Sequence, residues 1–204
     1  MRRSIRGKVL LAGACMIAGL TAWGQAASPQ RTSAVSFDLA ASYTVEHSQQ
    51  APDVCGCFWM TGGSMDFTAT LWKGWGLALA VNGEHASAAT AGSDLNSLRT
   101  LIGPRFLARP AHVGARRIPV RVFGEALFGR VYGFESLFPT PNGVVSSSNA
   151  MALQAGGGIN VQLSKHFGVR ALQVDFVRTD LPNNASNVQS DVSASWGATY
   201  HFGK

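Results

Sequence analysis

The sequence is low in charged residues, and after its first segment it has no long apolar run. Charged residues make up 14% of the 204 positions, whereas about 25% is usual in globular domains. Beyond residue 26, no stretch approaches the roughly 20 apolar residues that a transmembrane helix needs. No amphipathic helix of useful length is found either. The sequence therefore predicts no membrane-spanning helix in residues 27–204.

The first 26 residues predict a secretory signal peptide. Four bases, at positions 2, 3, 6 and 8, precede the mostly apolar residues 9–23, and small residues suited to cleavage follow. This is the three-part layout of an export signal, and the apolar part is short for a transmembrane helix. An uncleaved anchor is the alternative. Residues 27–204 are then the mature part, which has a length that suits one domain.

The signal peptide also accounts for most of the positive charge. It holds four of the 17 Lys and Arg residues and none of the 11 Asp and Glu residues, so the net charge falls from +6 in the whole chain to +2 in the mature part. The basic character of the whole chain therefore gives no reason to predict nucleic-acid binding.

Apolar and polar residues alternate along most of the mature chain, up to its last segment. In residues 190–204, Val192, Trp196 and Tyr200 share one parity and Asp191 has the other. Successive side chains of a strand point to opposite faces, so such a strand has one apolar and one polar face. Similar patterns predict eight strands, at about residues 35–47, 61–72, 75–84, 98–108, 119–131, 150–163, 167–179 and 190–204.

The predicted connections differ in length. Lys73-Gly74 and residues 164–166 are short turns, residues 109–118 form a basic connector, and long loops are predicted at residues 48–57, 85–97, 132–149 and 180–189. Membrane barrels have an even number of strands, short periplasmic turns and longer outer loops. The sequence therefore predicts an all-β fold, an eight-stranded antiparallel up-and-down transmembrane β-barrel over residues 27–204.

Several short motifs carry a resemblance to a known family. They are Cys55-Gly56-Cys57-Phe58 before Gly62-Gly63, Gly103-Pro104-Arg105-Phe106, Ala155-Gly156-Gly157-Gly158 and the aromatic end Tyr200-His201-Phe202. With these motifs, residues 35–204 resemble the small outer membrane protein beta-barrel family, which includes the transmembrane domain of OmpA.

The resemblance implies an integral protein of the outer membrane of a Gram-negative-type bacterium, with lipid and the barrel-assembly machinery as its partners. Tyr200 and Phe202 would supply the terminal aromatic signal for assembly, although Gly203 and Lys204 follow it. The resemblance names no solute. It does not carry over the peptidoglycan-binding role of OmpA, which belongs to a separate domain.

The predicted inner face holds charges of both signs. An eight-stranded barrel is just wide enough for side chains to fill, and buried charges must pair because an isolated one is very unfavourable. A structural plug of ion pairs is one interpretation, and a gate in which exchanged pairs open a narrow ion path is the other. The candidate network consists of Asp66, Glu84, Arg99, Arg105, Arg121, Glu125 and Asp175, and Asp38 and Asp191 share its face.

Two further pairs of residues, a cysteine pair and a histidine–serine pair, are of types that can carry chemistry. Cys55 and Cys57 lie in a predicted outer loop, where an exported protein forms disulfides. A local bridge is favoured over free thiols, intermolecular bridges or half of a metal site. His85 and Ser87 have the spacing seen in some barrel lipid hydrolases, but their neighbours differ and no acid is clearly placed to orient His85. No catalytic residue, metal site or cofactor is predicted.

The sequence thus predicts an outer-membrane barrel with a structural or narrow-pore role, without enzymatic activity and monomeric. The first alternative is a surface adhesion or interaction module that binds a partner through residues 48–57 and 132–149. The second is a soluble secreted lipocalin-like barrel, which requires the opposite facing, with apolar residues inside.

Overall fold

The computed structural model describes residues 35–49, 57–90, 93–114, 117–183 and 187–202. The predicted signal peptide, residues 1–26, lies outside them, as does Cys55. No helix within the described residues is long and apolar enough to cross a membrane. The described chain forms nine strands: β1 (Ser36–Gln49), β2 (Cys57–Trp72), β3 (Trp75–Thr90), β4 (Ser93–Leu107), β5 (Ala111–Val113), β6 (Ile118–Thr140), β7 (Gly143–Gln162), β8 (Phe167–Thr179) and β9 (Gln189–Phe202).

Eight of these strands close into a ring. The sheet order is β4-β3-β2-β1-β9-β8-β7-β6-β5, and an additional pairing of β4 with β6 closes the ring and leaves only β5 outside it. Each pairing is antiparallel. The prediction of an all-β, eight-stranded antiparallel up-and-down barrel is therefore confirmed. The short strand β5 lies in the segment predicted as a basic connector and pairs with the start of β6.

The strands run further toward one end than the sequence predicted. Residues 132–149 were expected to be a loop, but β6 and β7 continue through them to a turn at residues 141–142. Residues 85–90 and 93–97, also predicted as loop, extend β3 and β4. These loop predictions were wrong because cross-strand hydrogen bonds satisfy the backbone even where polar side chains replace the apolar alternation. The β3–β4 and β6–β7 hairpins therefore extend the barrel at the end opposite Ser36 and Phe202.

Apolar side chains cover the outside of the barrel. Leu79, Leu153 and Trp196 are 43%, 47% and 47% exposed. Leu39 lies on the apolar face of β1, where it is half-buried between its ladder partners Phe67 and Tyr200. The lipocalin-like alternative needs the reverse facing, and the structure contradicts it.

The exterior has a charged exception, and the interior is not polar throughout. Arg130 is exposed on β6, in a column that also contains Phe128 and Tyr132. An arginine can keep its apolar stem on such a surface while its head reaches water. Inside, an apolar cluster occupies the side of the barrel formed by β3, β4, β6 and β7. Its members are Ala78, Ala80, Leu101, Leu127, Val131, Phe138, Ala150, Ala152 and Leu181.

Candidate functional site

One ion cluster lies in the bore near the extended hairpins. Arg99 donates to Glu46 at 2.9 Å from Nη1 and to Glu84 at 2.7 Å from Nη2. A second contact joins Arg99 Nη2 to Glu46 Oε2 at 2.7 Å. Ser48 and Ser97 donate further hydrogen bonds to the two carboxylates, at 3.3 and 3.4 Å. One guanidinium therefore contacts two carboxylates, and all three groups are buried.

A second cluster lies nearer the end of the barrel that contains Ser36 and Phe202. Arg105 donates from Nε to Glu125 Oε2 at 2.6 Å and from Nη1 to Thr68 Oγ1 at 2.7 Å. Its Nη2 lies 3.5 Å from Asp66, and Asp66 also pairs with Arg170. The two arginines and two carboxylates form a continuous buried chain, Glu125–Arg105–Asp66–Arg170.

Two glutamines extend this chain toward Asp175. Gln173 donates to Glu125 at 3.0 Å and to Asp175 at 2.7 Å. Gln154 donates to Asp175 at 3.0 Å and accepts from Asn82 at 3.4 Å. Neutral amides therefore separate two carboxylates of like charge. Such bridging reduces the repulsion between buried acids without adding another cation.

An aromatic ring supports both arginines of the second cluster. The guanidinium carbons of Arg105 and Arg170 lie 4.7 and 5.0 Å from the ring centroid of Phe123. The ring needs space at Gly158, where a Cβ would come within 2.9 Å of Phe123 Cε1. Gly158, the last residue of the glycine run, therefore leaves room for the ring of Phe123.

The sequence analysis missed two members of these clusters. Glu46 had the inward parity but was not included among the charges. Arg170 was missed because strict alternation from Leu172 and Val174 gives it the outward parity. The β8–β9 register shifts between Arg170 and Gln173, and residues 171 and 172 are both exposed. An irregularity of this kind reverses the parity and turns Arg170 into the bore, where it is 1% exposed.

The other predicted charges lie in different surroundings. Arg121 is half-buried and lines an open pocket at the end of the barrel that contains Ser36 and Phe202. Asp38 and His201 line the same pocket, and Asp38 accepts from His201 Nδ1 at 2.8 Å. Asp191 is buried on β9 and interacts electrostatically with Arg99 and Glu84. The structure thus divides the predicted network into the two ion clusters, the first with Asp191 beside it, and the pocket.

The remaining candidates lie at strand ends. Cys57 begins β2 and is exposed; because Cys55 lies outside the described residues, the Cys55–Cys57 bridge stays a prediction. Tyr200 packs edge-on against Phe167 and Phe202, with centroid distances of 5.0 and 4.7 Å. In the described part of the chain, no group of three or more His, Cys, Asp or Glu residues could hold a metal ion.

Together, a closed ring of eight antiparallel strands, an apolar exterior and ion pairs in the bore define the fold of the outer-membrane β-barrels. Solved structures of that class show the same fold. The chain is 14% identical to Ail, the attachment invasion locus protein of Yersinia pestis, with a TM-score of 0.52 over 82% of this chain and 99% of Ail.

A second structure, Neisserial surface protein A, gives a TM-score of 0.53 at 14% identity, over 81% of this chain and 97% of the other. The resemblance to small outer-membrane barrels predicted from the sequence is therefore confirmed at the level of the fold. No family model matches the chain. No curated protein sequence matches it either.

Proposed function

We propose that this chain is an integral outer-membrane protein whose barrel is plugged by its own side chains and has a structural role. The observation that carries the proposal is the separation of the two faces. Apolar side chains such as Leu79 and Leu153 face outward, while Glu84, Arg99 and Arg105 are no more than 4% exposed inside. In water this apolar exterior would be exposed unfavourably, whereas the hydrocarbon tails of a membrane would solvate it.

Membrane insertion can be tested with Trp196, which is exposed on the exterior of β9. A variant that keeps Trp196 as its only tryptophan is folded into vesicles whose acyl chains carry bromine, a contact quencher. We expect strong quenching of the folded protein and little quenching of the same protein in urea, mixed with the same vesicles. Equal quenching in both states, or a protein that stays soluble without detergent, would contradict insertion.

The plug can be tested by conductance. The bore holds ion pairs at two levels, and the buried charge pairs leave no unpaired guanidinium within either cluster. We therefore expect no single-channel steps from the wild type in planar bilayers. Reproducible steps that change on Glu125→Ala or Arg105→Ala would support the gate instead.

The long hairpin of β6 and β7 favours a second candidate function, the binding of a partner at the cell surface. Leu137, Val144 and Val145 are 47%, 62% and 42% exposed on it. Phe138 is buried in the interior apolar cluster and so anchors the hairpin against the barrel. An anchored hairpin with exposed apolar residues is suited to contact another protein.

The neighbour Ail was crystallised with the heparin analogue sucrose octasulfate, but the described charges do not favour such a ligand here. The exposed charged residues at the hairpin end of the described chain include the acids Asp94, Glu135 and Asp180 and the base Arg178. We therefore expect no retention on a heparin column. If the hairpin binds proteins, Val144→Ser with Val145→Ser should abolish binding of nanodisc-embedded protein to cultured host cells and leave the barrel folded.

Assembly through the terminal aromatics is part of the same proposal. Phe202 is 47% exposed at the end of β9, which pairs with β1. We expect Tyr200→Ala with Phe202→Ala to lower the amount of barrel in the outer membrane in cells, while refolding in detergent is retained. Unchanged membrane levels would contradict an assembly signal at this position.

A further inference from the structure

The outer surface near the tip of β3 and β4 carries a hydrogen-bonded row of side chains that the ion clusters do not involve. Ser87 Oγ lies 3.2 Å from His85 Nε2. His85 Nδ1 lies 2.9 Å from Asn96 Oδ1, and Asn96 Nδ2 donates to Glu135 Oε2 at 2.6 Å. Three strands contribute: β3 supplies His85 and Ser87, β4 supplies Asn96 and β6 supplies Glu135.

The fold accounts for this arrangement. His85 and Ser87 are two residues apart on one strand and so share a face. His85 and Asn96 are direct cross-strand partners, as are Asn96 and Phe134. Glu135 follows Phe134, where the β6–β7 register becomes irregular, and its φ of 56° lies in the left-handed region. Strained backbone of this kind in a non-glycine residue is often associated with function.

The row also fixes the proton positions. A carboxylate can only accept, so the amide nitrogen of Asn96 must face Glu135 and its Oδ1 must face His85. Because Oδ1 also only accepts, His85 carries its proton on Nδ1. Its Nε2 is then free to accept the proton of Ser87. The nucleophile, base and orienting group have the relation that defines a serine hydrolase triad.

We propose that Ser87, His85 and Asn96 form a catalytic triad for the hydrolysis of acyl esters of membrane lipids. Ser87 and His85 are the catalytic residues, and Asn96 and Glu135 are positioning residues. The sequence predicts no activity here, because the neighbours of His85 and Ser87 differ from those in barrel lipid hydrolases and no acid is clearly placed to orient His85. That conclusion changes because the cross-strand register brings an amide to His85 and a carboxylate to the amide.

The surroundings indicate a lipid substrate. On β3 the exposed column runs from Leu79 and Val81 through Gly83 to His85 and Ser87, so the triad lies just beyond the apolar part of that strand. The ester bonds of a lipid lie at this kind of boundary between acyl chains and headgroups. The proposal rests on membrane insertion of the barrel, because only then does the boundary meet lipid.

A depression beside the triad could accept an acyl chain. Gly83 is the direct cross-strand partner of Gly63, and both are exposed on the exterior. A Cβ at Gly83 would meet nothing within 4 Å. The two glycines are flanked across the ladders by Tyr43 and Leu98, which supply apolar walls. The gap leads from the apolar column to His85, which lies two residues further along β3.

The reaction balances with water as the only co-reactant. Ser87 Oγ forms a bond to the ester carbonyl carbon while its proton passes to His85 Nε2. The bond from that carbon to the alcohol oxygen then breaks, and the alcohol leaves with the proton from His85. Water attacks the acyl-serine in the same way, giving the fatty acid and restoring Ser87.

The first test uses labelling, which needs neither a membrane nor a known lipid. The refolded wild type in detergent, its fold checked by heat-modifiable migration, is treated with a fluorophosphonate, and the modified peptide is found by mass spectrometry. We expect modification at Ser87, its loss in His85→Ala, and unchanged labelling in Ser190→Ala, the matched control, which removes an exposed serine from β9. A folded wild type that is not modified at Ser87 would overturn the proposal.

The second test measures fatty acid release in two arms, phospholipid vesicles and lipopolysaccharide micelles, which distinguish the two lipid sources. We expect Ser87→Ala to lower turnover at least about 100-fold, with Ser190→Ala unchanged. Gly83→Leu should lower lipid turnover but retain fluorophosphonate labelling, because it fills the depression only. Release that Ser87→Ala does not affect, or no release from either lipid by folded wild type, would contradict a lipid esterase.

The positioning residues need a separate readout. Asn96→Ala should lower kcat more than it raises KM. Asn96→Asp combined with Glu135→Gln should restore turnover with a changed pH profile, because the carboxylate at position 96 can accept both from His85 Nδ1 and from the amide at position 135. A purely structural Asn96 would give equal pH profiles in the wild type and this double variant. Failure of membrane insertion is detected independently by the Trp196 quenching experiment, so it can be told apart from an inactive triad.

Discussion

Removal of Arg99 should destabilise the barrel strongly. The guanidinium contacts Glu46 and Glu84 at 2.7 to 2.9 Å, and both carboxylate side chains are at most 2% exposed. Arg99→Met keeps an apolar stem of similar length but leaves two buried carboxylates without their cation. Removing one partner of a buried ion pair costs about 3–5 kcal/mol.

The size of the effect depends on the two carboxylates, so their removal should reverse it. The triple variant Arg99→Met, Glu46→Gln, Glu84→Gln removes the cation and both carboxylates that contact it, and leaves Asp191 as the nearby buried acid. Replacing a whole buried ion cluster is often close to neutral, so we expect the triple variant to recover most of the lost free energy. A remaining difference of about 1 kcal/mol is expected from imperfect hydrogen bonding of the two amides.

The free energy of unfolding can be measured by urea titration of the protein in lipid vesicles, with tryptophan fluorescence and heat-modifiable migration as two probes. Arg178→Met is the matched control, because Arg178 forms an exposed ion pair with Asp180 at 3.8 Å. Exposed pairs contribute about 0–1 kcal/mol. If Arg99→Met is no more destabilising than Arg178→Met, or if the triple variant recovers nothing, the ion-pair account of the bore is wrong.

Three further predictions concern the bore, the exterior and the hairpin. Gly158→Val should clash with the backbone of Leu172 and Gln173 and with the ring of Phe123, since a Cβ there would lie 2.5 to 2.9 Å from them, and should cost about 1–3 kcal/mol, measured by the same titration; an unchanged midpoint would refute the packing argument. Leu153→Arg on the exterior of β7 should cost about 2–4 kcal/mol if that position lies near the membrane centre, whereas Val144→Arg on the hairpin should cost less than about 0.5 kcal/mol; equal effects would contradict the proposed lipid face. Phe138→Ala should cost about 3–5 kcal/mol, because its ring belongs to the interior apolar cluster, and it should speed proteolysis of the β6–β7 hairpin. An unchanged rate of proteolysis would show that Phe138 does not anchor the hairpin.

Much of the fold was predictable because the alternation of side chains has a period of two. Parity put Leu79, Leu153 and Trp196 on the apolar faces of their strands, the resemblance to outer-membrane barrels predicted that these faces are outside, and the structure confirms their exposure. Short turns at Lys73-Gly74 and near Lys165 were also predicted, and they connect the expected strands. The ends of the strands were less predictable, since polar residues beyond the apolar part still pair through their backbones.

The contacts between strands could not be read from the sequence. Alternation shows which face a charge has but not its height, because the stagger of a barrel is fixed only when the ring closes. Arg105 and Asp66 were both predicted inside, yet their contact depends on the register of β2, β3 and β4. Strict alternation gives Arg170 the outward face. The irregularity between Arg170 and Gln173 reverses the facing of the residues before it in β8, so Arg170 points into the bore.

The sequence by itself determined that the strands have one apolar and one polar face, because successive side chains alternate. It also determined that charges of both signs share the polar face. The closed ring decided that this face lines the bore, since alternation allows either facing. Only the tertiary structure decided which charges pair, and only it brought Ser87, His85, Asn96 and Glu135 into one hydrogen-bonded row. The reason is that such contacts depend on ring closure and cross-strand register, which join residues 39 positions apart in the row (Asn96 to Glu135) and leave no periodic pattern in the chain.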